Sequence, residues 1–365
     1  MRNILKYLSI ILFMASPLMA FESSQGALKI TKMTDGLEQP WSFGFLPGGA
    51  VLITERSGVL WCLNNGKRIK IEGVPAVHVK GQGGLFDVMV PRDFATTRQL
   101  YFSYAITQAN GAGTAVASAN LSADNRRLEN WTVIFEMTPG SNTNRHYGGR
   151  IVEALDGRLF ITMGERGDRP AAQDLSRENG SVIRINRDGS IPADNPFVGD
   201  PEARPAIWSY GHRNPQGATL DLQGNLWLVE HGAKGGDEVN LIRKGANYGW
   251  PVISYGVHYS GDKIGEGTHK SGMKQPEFYW GPSIAPSGMM IYSGALWPDW
   301  RGDMFVGSLK FDYIARLTGT PLAEVEQLKS VETNRVRDVR EAPDGTIWFL
   351  SVKQGALYRL APSDG

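Results

Sequence analysis

The chain has 365 residues, with 38 Lys plus Arg against 37 Asp plus Glu. That balance excludes both the basic excess of a nucleic-acid binder and an acidic solvating tail. Its 44 Gly, about 12 % of the chain against a usual ~7 %, with 20 Pro and 10 Trp, suit many turns between short strands. Cys62 is alone, which excludes a disulfide framework, a thiolate metal cluster and a redox pair.

The first twenty residues read as a signal peptide. Arg2 and Lys6 form a positive start, 7–14 an apolar run, and Pro17-Leu-Met-Ala20 a small-residue cleavage site before Phe21. The apolar run is short against the ~20 residues of a membrane span. The expectation is a single exported domain, 21–365, periplasmic or otherwise outside the cytoplasm and not inserted in a membrane. Cys62 lies too far from the cleavage site to carry a lipid, and in the strand-like VLWCL it reads as a small buried hydrophobe.

From there one pattern recurs: a strand, a turn rich in Pro, Asp and Gly, then an apolar-aromatic strand. It appears at 41–56, 84–104, 149–166, 217–232, 288–309 and 337–352. A lone hairpin cannot bury both faces, so the six copies must stack. Radial closure leaves few exposed edges, and linear solenoid repeats are typically shorter and more regular. The predicted fold is all-β: a six-bladed β-propeller of four-stranded antiparallel sheets.

The loops before the copies are polar and would converge on the propeller axis. Gln82 precedes the second copy and His146 the third; Arg213 and Asn214 precede the fourth, Ser283 the fifth, and Arg335 and Arg337 the sixth. His146, in a Gly-rich turn, has the unperturbed pKa of a general base, or is a surface histidine. Arg213 at a strand end suits stabilising an oxyanion or bracing its loop, and Asn214 suits fixing a polar ligand. The turn at 231–238 places Gly232 and Ala233 carbonyls beside Asp237 and Glu238, a pattern for Ca²⁺ or for a solvated turn. His146, His212 and His231 lack a helical metal spacing, and their Gly/Asp context favours oxygen ligation over zinc. Lys310, Arg335 and Arg337 form a cationic set, which calls for an anion or solvent between them. No Gly-x-Ser-x-Gly turn, dinucleotide fingerprint or Walker loop is present.

Taken in order, GQGGLFDV, HYGGR, WSYGHRNPQG, EHGAKGGDEVNLI, GANYGWP, APSG, GSLK and TNRVRD resemble the soluble, six-bladed quinoprotein sugar dehydrogenases, closest to the periplasmic aldose sugar dehydrogenase branch. The resemblance implies an enzyme that uses pyrroloquinoline quinone (PQQ) and Ca²⁺ to oxidise aldoses at C1 to the lactone. It implies His146 as the base while hydride passes to the quinone C5, and Arg213 against the quinone oxygen. Asn214, Ser283, Lys310, Arg335 and Arg337 would hold PQQ, Gln82 would line the sugar pocket, and Gly232 and Ala233 would give carbonyls to Ca²⁺ with Asp237 nearby. Electrons would pass to an external acceptor, a quinone or a cytochrome.

Three departures stand out. Ala233 replaces a Pro frequent in the metal turn. Arg166 stands where relatives place a neutral amide near the sugar, and so is expected to touch substrate. The loops between copies are shorter than in the dimeric glucose-oxidising branch, which points to a monomer. Two other functions keep the same fold: a Ca²⁺-dependent propeller lactonase or hydrolase, which needs carboxylates on the axis, and a non-catalytic binding propeller.

Overall fold

Each recurrent hairpin becomes the inner half of one sheet in the computed structural model, which describes residues 20–363. The expected signal peptide lies outside the described residues, apart from Ala20. Blade 1 runs from Pro40 to Ile71, blade 2 from Leu85 to Glu136 and blade 3 from Gly148 to Tyr210. Blade 4 runs from Pro215 to Trp280, blade 5 from Pro286 to Leu328 and blade 6 from Val336 to Pro362. The first five are four-stranded antiparallel sheets in simple up-and-down order.

Blade 6 is closed by both ends of the chain. Its C-terminal strand Ala356–Pro362 pairs with the N-terminal strand Gly26–Thr34, and Ala20–Ser23 adds a fifth strand to the expected four. Closure removes the free edge a linear stack would leave.

The apolar residues lie between blades. Among the described residues, six of the eight apolar clusters lie one at each blade-to-blade seam. Leu52, Leu60, Phe102 and Ala117 join blades 1 and 2, for example, and Phe305, Ile314, Val339 and Phe349 join blades 5 and 6. Strands buried on both faces lose polar alternation, so inner strands such as VLITE, LFITM and MFVGS read as apolar runs. Cys62 is 2 % exposed in the first of these seams, and burial pushes its thiol pKa up.

One irregularity repeats six times. Every innermost strand has a bulge near its first residue, between Pro40 and Ser42, Leu85 and Val88, Gly148 and Ile151, Pro215 and Gly217, Pro286 and Met289, and Val336 and Asp338. A bulge leaves an extra residue unpaired and re-aims its side chain. Trp41, Phe86, Gln216 and Arg337 occupy such positions, and all four line a cavity on the axis. No helix among the described residues is long and apolar enough to cross a membrane.

Candidate active site

The cavity has a volume of about 480 Å³ and sits where the six inner strands begin. Four of its lining side chains are cationic: Arg56, Lys310, Arg335 and Arg337, and none of the lining residues is Asp or Glu. Arg337 shows the consequence. Burial, with Arg56, Arg150 and Arg335 close by, pulls its pKa down to about 9. Its Nη1 donates to the Gln216 side-chain oxygen at 3.1 Å, a neutral partner, and its guanidinium lies 5.3 Å from the Trp41 ring centre. Crowded cations with neutral partners fit an anionic ligand. Arg335 donates to the Leu309 carbonyl at 3.0 Å and sits at φ 56, a left-handed conformation that is uncommon for a side chain of this size.

His146 stands at the rim, on the loop before blade 3, and it too is left-handed at φ 54. Non-Gly residues hold that conformation only where the surroundings impose it. Here the Gln82 side-chain oxygen accepts the His146 N–H at 2.7 Å, and Nδ1 lies 2.6 Å from Glu165 Oε2. Glu165 is 1 % exposed and also accepts the Gly167 N–H at 2.9 Å. Burial lowers the His146 pKa; Glu165 opposes that and Arg213 and Arg145 reinforce it, with a net downward result. The imidazole is therefore neutral at pH 7, with Nδ1 committed to Glu165 and Nε2 left to act. Gly164 beneath this loop is obligatory, because a Cβ there would meet the His146 carbonyl oxygen at 2.0 Å.

Arg166 does not touch the cavity, contrary to the expectation that it contacts substrate. It is 1 % exposed, stacks with its guanidinium 3.3 Å from the Tyr147 ring centre, and donates to the carbonyls of Arg145, Thr143 and Ala112. A buried Arg must spend its donors inside the protein, and these three carbonyls tie down the loop that carries His146. The functional member of the Gly-Glu-Arg-Gly turn is its carboxylate. Sequence reasoning looked at this turn and chose the wrong neighbour.

Arg213 and Asn214 enter from the loop before blade 4. The Arg213 N–H donates to Glu230 Oε2 at 2.6 Å, its Nη1 to the His231 carbonyl at 3.2 Å, and its own carbonyl accepts the Glu165 N–H at 2.9 Å. The last bond joins the arginine loop to the His146 support. Asn214 lines the cavity and accepts from Gly148 N–H at 3.3 Å and from Gln216 at 3.2 Å. His231 also lines it, with a pKa pushed down to about 3 by burial and by Arg213, Arg337 and His146. His212, by contrast, is fully buried between Ser209 and Glu230 and stacked on Tyr248, a core histidine outside any set of three.

The turn at 231–236 carries Gly232 and Ala233. Gly232 borders a small recess with Arg213, and a Cβ on it would meet the Gly235 oxygen at 2.1 Å, so only glycine fits. Asp237 is not a free ligand, as the sequence reading had it. One oxygen accepts Gly232 N–H at 2.8 Å and Ser283 Oγ at 2.9 Å; the other accepts Ser283 Oγ at 2.8 Å and Ala285 N–H at 2.9 Å. Asp237 is a strut between the turn and the loop before blade 5, and Ser283 is spent on it instead of facing the cavity. Lys310 is exposed at the rim, with its N–H on the Ile284 carbonyl at 3.2 Å.

The fold therefore brings together Gln82, His146, Arg213, Asn214, Lys310, Arg335 and Arg337, and adds Glu165, Trp41, Arg56, Phe86, Gln216 and His231. The cavity-lining additions have no motif of their own: Trp41, Phe86 and Gln216 sit at the bulges that begin inner strands, while Arg56 and His231 directly follow the ends of second strands.

A six-bladed propeller with a cationic axial cavity and a His–Glu pair at its rim defines an enzyme more readily than a scaffold. The family model for glucose/sorbosone dehydrogenase matches residues 37–359. The chain belongs to that family: it is a sugar dehydrogenase, an oxidoreductase. It is 40 % identical to the aldose sugar dehydrogenase YliI of Escherichia coli K12, over 96 % of this chain and 98 % of that protein. The crystal structure of the soluble aldose sugar dehydrogenase from Escherichia coli superposes with a TM-score of 0.88 at 40 % identity, covering 92 % of this chain and 99 % of that one. The PQQ-bound aldose sugar dehydrogenase of Streptomyces coelicolor superposes with a TM-score of 0.74 at 25 % identity, covering 92 % and 98 %.

Proposed function

We propose that this chain oxidises the C1 of aldoses to the lactone with PQQ as bound cofactor and Ca²⁺ as its metal, passing the electrons to an external acceptor. The cavity's unpaired cations support that reading most directly. A ligand with three carboxylates matches Arg56, Arg335 and Arg337, of which the first two repel the third, together with Lys310 at the rim. Arg213, Asn214 and Lys310 would hold its oxygens, and the Gly232 and Ala233 carbonyls would face the metal; Asp237 braces their turn. When bound, PQQ supplies an ortho-quinone that accepts a hydride.

The protein's part in the chemistry is a proton. The free Nε2 of neutral His146 accepts it from the C1 hydroxyl, and Glu165 on Nδ1 stabilises the imidazolium that forms. Gln82 holds the His146 backbone and stands at the sugar's side of the rim. Arg213, 6 % exposed and linked to the Glu165 backbone, sets a positive charge where negative charge develops. A hydrolase would want axial carboxylates and would leave the cations without a role; the lining has the opposite composition. The amino-terminal pattern supports export, and the short loops support a monomer.

Titrating apoprotein with PQQ, with and without a Ca²⁺ chelator, tests the cofactor claim. Saturable, Ca²⁺-dependent binding and dye-linked aldose oxidation are expected. Absence of binding, or of activity across common mono- and disaccharides, would sink it. His146→Gln should lower turnover by about 10²- to 10⁴-fold while PQQ still binds; retained turnover would eliminate His146 as the base.

A further inference from the structure

A small hairpin pairs with the turn that carries Gly232 and Ala233. It is a tight β-turn segment in the long connection from Leu241 to Phe278 of blade 4. Val257 bridges Lys263 within it; His258 N–H donates to the Asp262 carbonyl at 2.8 Å and Gly261 N–H to the His258 carbonyl at 2.9 Å. It is anchored at two places. Its base pairs with the metal-side turn, Lys234 N–H donating to Val257 at 3.0 Å and Val257 N–H to Lys234 at 3.3 Å. Its tip is held from blade 3, where Arg169 Nη1 lies 2.7 Å from His258 Nδ1.

The tip residue is Tyr259. The residue is 73 % exposed and directly follows His258, which Arg169 holds; Arg169 in turn sits on the same indole as Arg213, which is 6 % exposed. Arg213 and Arg169 share one platform, lying 5.3 and 5.6 Å from the Trp250 ring centre. A surface tyrosine that merely tolerates solvent needs neither anchor. Here a pinned hairpin holds an uncovered aromatic residue next to the anchor that shares its indole with the buried arginine of the site, a polar edge with an apolar wall beside it. Sugars present that combination in complement, hydroxyls around the rim of a ring and C–H groups on its face.

We propose that the 257–263 hairpin is a substrate flap and that Tyr259 is a positioning residue, its ring packing on the C–H face of the aldose whose C1 hydroxyl meets His146. This rests on the aldose-oxidising function proposed above. The contact is made by the ring, so Tyr259→Ala should raise KM for aldoses about tenfold with kcat within about threefold of wild type, and Tyr259→Phe should stay close to wild type. PQQ affinity, measured by direct titration, should be the same in all three proteins. A role confined to bracing Arg213 through the hydroxyl predicts otherwise: Phe would be as damaging as Ala, and kcat or PQQ affinity would fall with it.

A non-oxidisable sugar separates this inference from the reaction itself. 1,5-Anhydroglucitol lacks the C1 hydroxyl, and its binding to PQQ-treated protein is read by saturation-transfer NMR. Binding to wild type and to Tyr259→Phe, with loss in Tyr259→Ala, supports the flap even if no aldose were oxidised, in which case only the proposed reaction falls. No binding to wild type, equal binding to all three, or equal KM for all three overturns it.

Discussion

Two stretches of the same axis treat arginine in opposite ways. Midway along it, Arg150 and Arg340 meet Asp87 and Asp338 in a closed square. Arg150 lies 3.1 Å from Asp87 and 3.2 Å from Asp338; Arg340 lies 2.8 and 2.9 Å from the same two. Burial works against the Asp87 carboxylate, but Arg150 and Arg340 override it and hold its pKa below the ordinary value. At the cavity end, one residue before Asp338 on the same strand, Arg337 donates to neutral Gln216, and burial with Arg56, Arg150 and Arg335 outweighs Asp338 and brings its pKa down to about 9. Two charges against two make a plug; four cations lined with no carboxylate make a receptor. The same residue type is structural in one place and ligand-seeking in the other, and the partner decides.

Breaking the plug should have the largest effect. Asp338→Ala leaves the buried Arg150 and the quarter-exposed Arg340 short of a carboxylate, at a cost of about 3–5 kcal/mol. A thermal melt should show a drop of many degrees in the apoprotein; an unchanged melt would mean that the square is not holding the axis together.

The receptor end should respond with the reverse sign. Arg337→Gln removes a crowded cation, so the apoprotein should melt no lower than wild type. PQQ affinity should fall about ten- to hundredfold, the worth of one charge-assisted contact. If the melt falls and the affinity holds, Arg337 belongs with the plug.

A third variant sharpens the contrast, because one carboxylate does serve the cavity end. Glu165→Gln should lower kcat on the order of 10- to 100-fold. Burial lowers the His146 pKa and Glu165 raises it, so removing the charge lowers it further. Activity needs neutral imidazole and fades as pH drops through that pKa, so the acid limb of the kcat/KM profile should move to lower pH. A limb that moved upward would remove Glu165 from the pair.

Smallest is the expected change in sugar preference on Arg166→Met. The variant loses donors to one buried and two part-buried carbonyls and should be less stable by about 1–3 kcal/mol, yet the order of aldoses by kcat/KM should stay the same. A reordered preference, measured over a panel of aldoses, would restore Arg166 to the substrate pocket.

The fold was legible because it repeats. Six copies of one hairpin grammar state the blade count, and the recurrent polar loop before each inner strand states where those loops meet. Arg213, Arg335 and Arg337 were legible for the same reason, standing at strand starts; Lys310 and Arg56 follow strand ends, and nothing in the sequence singled out Arg56. What misled was local chemistry read without burial. Asp237 beside a Gly-rich turn looks like a ligand until Gly232, Ser283 and Ala285 are seen to use both its oxygens. Arg166 looks like a sugar contact until its exposure is known. Glu165 was passed over because a carboxylate nineteen residues after a histidine carries no spacing signal; a hairpin register brings them to 2.6 Å.

Blade number and the place of most cationic loops were therefore determined by the sequence itself, since periodicity and turn residues act over a few neighbours. Only closure of the ring decided which charges are paired. Asp87, Arg150, Asp338 and Arg340 come from three blades up to 253 residues apart, and no local rule connects them. The bulge at the head of each inner strand is likewise a tertiary outcome: six strands converging on one axis leave room at that end, and four of them aim a side chain into the cavity. Trp41, Gln216 and Arg337 became cavity wall for that reason, and the flap at Tyr259 is held by Arg169 because blade 4 closes against blade 3.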